Sequence, residues 1–207
     1  GLATATASML TKGAGRMGAT VYENYLADRA SSLIASAGRQ SFSLNLSMPE
    51  RFSADIFRLL GETLESPSFQ KDELERVKRN QLSAIKSAED QPLSLAFRRI
   101  FPFLFGDHPY GYMKLGTPES VESFNVSQIK AFWQKQKAQP WVLAVCGHFD
   151  REAIIEAART LPVPSAPGLE IQSPPWTADK ALTLTPPGRP PHYHILVFPT
   201  ASLSAAS

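Results

Sequence analysis

The chain has 207 residues, 43% of them hydrophobic, with 21 basic against 19 acidic side chains, which is enough apolar content to bury one domain core. A net charge of +2 leaves no electrostatic footprint for nucleic acid or an anionic membrane, and no apolar run approaches the roughly 18 residues of a membrane span. The single cysteine, Cys146, excludes an internal disulfide and leaves the compartment open.

Residues 1–14 predict a short helix. Ala, Leu and Met favour it, and Leu2, Thr6, Met9 and Leu10 recur at the spacing of a core-facing stripe. Gly13 is placed to end it. A second helix is expected from Thr20 to about Ser31, burying Val21, Tyr25, Leu26 and Ala30. Phe42, Leu44, Leu46 and Met48 then alternate with Ser41, Ser43, Asn45 and Ser47, the pattern of a half-buried antiparallel strand. Ala37–Gln40 is its hairpin turn and Leu33–Ser36 its partner strand.

Pro49 opens the next helix, with Phe52, Ile56, Leu59, Leu60 and Leu64 on its buried face. Ser66-Pro67-Ser68 breaks it. The longest helical pattern follows, from Gln70 to about Asp90, with Leu74, Val77, Ala84, Ile85 and Ala88 as its stripe and a solvated charged face opposite. Pro92 to Phe105 carries more Phe, Leu and Ile than one stripe needs. That helix is expected either deep in the core or packed on a second half of the molecule.

Thr117 and Asn125 are N-caps for two further helices. Pro140–Gly147 reads as a buried central strand that encloses Cys146 as an inert thiol, and Asp150 caps a helix over 151–160 with Ile154, Ile155 and Ala158 inward. Ten of the 17 prolines fall between Pro162 and Pro199. Proline fixes φ and removes donors, so the chain to about Trp176 is expected to be an extended linker, with strands at 181–184 and 194–198 beyond.

Candidate chemistry is sparse. His192 and His194 share a strand face but have no third ligand near them for zinc. His108, in the Pro-flanked loop Gly106–Gly111, reads as a loop brace. Ser8, His148 and Asp150 have the residue types of a triad, but Ser8 lies within a helix without a strained turn to present it.

The frame Gly-Leu-Ala…Met-Leu…Lys-Gly-Ala of residues 1–14 resembles the zinc helix of the insulinase, pitrilysin and mitochondrial-processing-peptidase family. The resemblance continues through LIASAGRQSFSLNLS, SPSFQKDELERVKRNQLSAI, FGDHPYGYMKLGTPESVESF, WVLAVCGHFDREAI and PHYHILVFP, in order and over about residues 1–200. His148 stands where an acidic residue is usual. Active members carry H-x-x-E-H in the zinc helix. On this frame its two His fall at Thr4 and Ser8 and its Glu at Ala7. The third zinc ligand, a Glu of the long helix, falls at Ala84 or Ile85, and Glu89 lies more than a turn away. Every catalytic position is empty.

The resemblance therefore implies the non-catalytic half of a bacterial zinc protease. It implies an α+β fold, a mainly antiparallel sheet with helices on one face. Residues 1–161 would be an inactive peptidase-like domain lacking its N-terminal strands, 162–178 a Pro-rich linker, and 179–207 the start of a second similar domain. It implies no cofactor in this chain, zinc in a partner half, a peptide substrate, and a periplasmic or otherwise exported location, with the cytoplasm left open. The chain alone would not be catalytic. The family's substrate-assisting Arg and Tyr would lie beyond Ser207. The rival expectation is a stand-alone scaffold or interaction module of the same fold.

Overall fold

The computed structural model describes residues 1–168 together with residues 182, 183, 195 and 197. The elements are α1 (Leu2–Leu10), α2 (Ala19–Ala27), β1 (Ser32–Ala37), β2 (Phe42–Ser47), α3 (Ser53–Glu65), α4 (Lys71–Glu89), α5 (Pro92–Phe105), α6 (Pro118–Ser123), α7 (Val126–Lys137) and α8 (Arg151–Arg159). Single 3₁₀ turns occur at Glu50–Phe52 and Pro109–Gly111. The fold is α+β, rich in helix, with an antiparallel two-stranded sheet among the described residues.

Chain contacts define two units, one of Gly1–Ile85 with Lys114–Ile171, the other of Lys86–Met113 with Gln172–Ser207. In the first unit β1 and β2 pair in register from Ser32↔Ser47 to Ala37↔Phe42. The Gly38 amide donates to the Ser41 carbonyl at 2.7 Å and closes the hairpin. The main core gathers Met9 and Leu10 of α1, Leu74, Val77 and Ile85 of α4, Val121 of α6, and Ile129 and Trp133 of α7. The Trp133 indole N–H donates to the Leu64 carbonyl at 3.0 Å, so the largest ring in this core keeps its polar atom satisfied.

A second cluster holds α2 and α3 against the sheet through Tyr22, Leu26, Leu33, Ile56 and Leu59. The Thr63 hydroxyl donates to the Leu59 carbonyl at 2.8 Å. Its one proton being used, it accepts from the Tyr22 hydroxyl, also at 2.8 Å. Capping follows the sequence. Thr117 and Ser120 exchange hydrogen bonds at the start of α6, Asn125 and Gln128 do so at α7, and Asp150 accepts from the Ala153 amide at α8.

Several expectations require correction. In α2 the buried residues are Tyr22 and Leu26, and Val21 is 58% exposed. The apolar stripe is rotated by one position, because the aromatic ring of Tyr22 fills more core than Val21 could and its hydroxyl finds Thr63. In α4 Ala84 is exposed, while Gln81 and Glu73 are buried. Gln81 extends the Leu74–Val77–Ile85 stripe, and Glu73 is held by Arg76 at 3.0 Å.

Residues 140–147 form no strand, Val142 is 93% exposed, and Cys146 is exposed. Apolar periodicity makes a strand only where a neighbour supplies a ladder, and none lies beside this stretch among the described residues. In α8 Ile155 is exposed, and Ile154 with Ala157 packs on the Phe57–Leu60–Leu161 cluster.

In the second unit α5 forms as expected and tolerates Pro102 near its end. None of its described side chains is fully buried, so the deep-core expectation fails there. The continuous described part of that unit is the last turn of α4, α5 and one 3₁₀ turn, too little chain to enclose an all-round apolar helix. Residues 162–168 carry no helix or strand. Of the expected strands at 181–184 and 194–198 only residues 182, 183, 195 and 197 are described, none of them in a strand; the rest of those strands, most of the linker, His192 and His194 lie outside the described residues.

Candidate functional site

The sequence-derived positions Thr4 and Ser8 stand one turn apart on α1 and both line a cavity of about 450 Å³. Its other walls are Thr11 and Lys12, Leu33 to Ala35 of β1, Val77, Asn80 and Gln81 of α4, and Leu115. Ala7 is 2% exposed and does not line the cavity. Ala84 is not on the cavity wall. It follows Asn80 by four residues, about 6 Å further along the helix axis. The structure thus brings Thr4 and Ser8 together, and the α4 residues it places with them are Val77, Asn80 and Gln81.

Hydrogen bonds tie these residues to the chain. The Thr4 hydroxyl donates to the Lys114 carbonyl at 2.6 Å. The Gln81 amide group donates to the Leu115 carbonyl at 2.7 Å and to the Gly1 carbonyl at 3.1 Å. The Lys12 ammonium at the rim is paired with Glu23 at 2.7 Å. Asn80 and Gln81 were not singled out in the sequence. The signal available was Gln81 standing four residues after Val77 and four before Ile85, a polar residue on an apolar stripe.

The donor set does not fit zinc. A zinc site takes three or four ligands from His, Cys and carboxylate, whereas this cavity offers hydroxyls, amides and one paired ammonium. Among the described residues no group of three or more His, Cys, Asp or Glu is arranged to hold a metal.

A second cavity, of about 280 Å³, is lined by Glu50, Ser53, Cys146, His148 and Asp150 with apolar Met48, Val145, Phe149 and Ile154. His148 Nδ1 lies 2.7 Å from Glu50 Oε2, and both side chains are open to solvent. Asp150 is engaged as the cap of α8. Ser8 lines the first cavity and His148 and Asp150 the second, so the structure does not assemble that triad. In the second unit His108 braces its loop, its Nδ1 accepting from the Tyr110 amide at 3.2 Å. Among the described residues no helix is long and apolar enough to cross a membrane.

The fold is α+β, and the two positions at which the resemblance expects His, Thr4 and Ser8, share one cavity wall. Comparison with known proteins agrees with that resemblance. No protein-family model matches the chain. It is 28% identical over 135 residues to a non-peptidase homolog, YmxG, of Helicobacter pylori, covering 65% of this chain and 31% of that protein. It is 27% identical over 104 residues to an uncharacterized zinc protease of Rickettsia bellii, covering 50% of this chain and 25% of that protein. The matches thus span less than a third of those relatives' own length.

Among solved structures, a peptidase M16 inactive domain from Pseudomonas fluorescens superposes with a TM-score of 0.68 at 21% identity, over 84% of this chain and 44% of that one. Pitrilysin superposes with a TM-score of 0.66 at 17% identity, over 86% and 20%. At these identities the structures establish the fold. Together with the two sequence relatives they bear out the resemblance to the non-catalytic half of the insulinase–pitrilysin family.

Proposed function

We propose that this chain is the non-catalytic domain of a zinc-peptidase-family protein, which forms part of a substrate chamber and supports peptide hydrolysis by a zinc-bearing partner half. The observation that carries the reading is the zinc-type helix α1. It keeps its place in the core through Ala5, Met9 and Leu10, yet presents Thr4 and Ser8 where the resemblance expects His. The relatives support the same division: one is named a non-peptidase homolog and the other a zinc protease. Zinc belongs to the partner, peptide is the substrate class, and an exported compartment fits the bacterial members the chain resembles.

The test is complex formation. The 207-residue chain is mixed with a zinc-bearing chain of this family from the same source and run by size exclusion with light scattering. A stoichiometric complex is expected. Two separate species at tens of micromolar would favour the rival, a stand-alone interaction module.

A further inference from the structure

The loop Lys114–Gly116 runs along the cavity that Thr4 and Ser8 line, and Leu115 forms part of its wall. Two hydrogen bonds attach it, from Thr4 and Gln81, and a third ties Gln81 to the start of α1. Thr4 holds the Lys114 carbonyl. Gln81 spends both hydrogens of its amide, one on the Leu115 carbonyl and one on the Gly1 carbonyl at the start of α1. Gln81 is 5% exposed, and its own carbonyl, Oε1, is buried without a hydrogen-bond partner among the described residues. Turning the amide over would set that carbonyl against two others, so the orientation is fixed by its partners. A buried acceptor left unmet costs stability. Here it accompanies two donations that hold two separate pieces of backbone.

The backbone is shaped for this contact. Gly116 has φ of +77°, and a Cβ there would come within 2.8 Å of Ser120 Oγ and 3.0 Å of the Gly1 Cα. A Cβ on Gly1 would in turn lie 2.8 Å from the Leu115 carbonyl. Two glycines allow the loop and the start of α1 to close directly on each other.

We propose that Lys114–Gly116 is a strap, latched to α1 and α4 by Thr4 and Gln81, that controls entry to this cavity. The residue on the first ligand position of the resembling family serves here as a backbone anchor. Two hydrogen bonds and the packing of Leu115 against the main core hold the strap, while α1 and α4 are held by their own apolar faces. Opening would release those two bonds and lift Leu115 while the two helices stay packed, a local rather than a global event. The inference rests on these contacts alone and not on a role in proteolysis.

The test uses the 207-residue chain with Cys146→Ser to remove the native thiol and Ser8→Cys as a probe on the cavity wall. The probe is labelled with a bulky thiol reagent, and amide hydrogen exchange in α4 and α7, whose helical amides are hydrogen-bonded, is followed as the control for global loosening. Thr4→Val keeps the side-chain shape and removes the bond to the Lys114 carbonyl. Gln81→Leu removes the bonds to the Leu115 and Gly1 carbonyls. Each is expected to raise the labelling rate by about tenfold, as the loss of ordinary hydrogen bonds predicts, with exchange in α4 and α7 unchanged. Unchanged labelling in the Thr4→Val chain would overturn the latch. So would faster labelling matched by faster exchange in α4 and α7, since that reports global loosening. If Gln81→Leu fails to fold, Thr4→Val decides alone.

Discussion

Tyr22 links α2 to α3 from a fully buried position, and its removal to Phe gives a stability change that can be worked out with its sign. The ring stays, so packing is conserved. What is lost is one hydrogen bond to Thr63, whose own donation to the Leu59 carbonyl persists. Near neutral pH the loss is about 1 kcal/mol.

Alkaline pH adds a second effect. Burial raises the Tyr22 phenol above its ordinary value of 10.0; Thr63 opposes this only to the extent that its hydroxyl turns from Leu59 to donate to the phenolate, and the nearby Glu62 charge adds to the rise. The folded chain therefore keeps this proton at a pH where the unfolded chain has released it. The stability that depends on the neutral phenol is fully present below pH 10 and is lost as pH rises through the folded value. Between the two values the slope approaches about 1.4 kcal/mol per pH unit for one proton. The assay is urea unfolding from pH 8 to 11 for both chains. The wild-type advantage should be about 1 kcal/mol at pH 8, shrink above pH 10 and reverse at higher pH. Parallel curves would refute the reasoning, because they would mean that Tyr22 titrates alike in both states.

Leu10→Ala should cost about 2.5 to 5 kcal/mol, from three lost carbons plus a cavity in the main core, while Val21→Ala should stay within about 0.5 kcal/mol because Val21 is 58% exposed. Paired urea midpoints check both, and equal costs would contradict the observed rotation of α2. Cys146 is exposed, so it should be labelled by a thiol reagent in the native chain as completely as after denaturation; labelling only on unfolding would restore the buried-strand reading of 140–147. Metal analysis after dialysis against micromolar zinc should find far less than one zinc per chain, since Thr4, Ala7, Ser8 and Ala84 supply no ligand. One tightly held zinc per chain would contradict the donor argument.

The parts of the fold legible in the sequence are those fixed by local chemistry. Thr117, Asn125 and Asp150 announce their helices because a cap is a contact within four residues. The hairpin was legible because alternation over Phe42–Ser47 and the Gly38 turn point to the same register. The choice between Val21 and Tyr22 depended on Thr63, 41 residues away, which no local pattern contains. Burial of Gln81 depended on two backbone carbonyls far along the chain, and the exposure of Trp141 to Val145 on the lack of a neighbouring strand among the described residues. The candidate site was half legible. The resemblance put Thr4 and Ser8 on one wall, but only the structure shows that the α4 residues facing them are Val77, Asn80 and Gln81.

The central claim concerns a supporting role without catalysis, and hydrolysis of an extended peptide tests it most directly. A zinc-bearing chain of this family is assayed with and without an equimolar amount of this one, and this chain is assayed alone with zinc added. The account predicts no hydrolysis by this chain alone and a rise of at least about tenfold when the two are combined, the scale of improved substrate positioning. Zinc-dependent hydrolysis by this chain alone, or a partner rate that does not change on its addition, would contradict it.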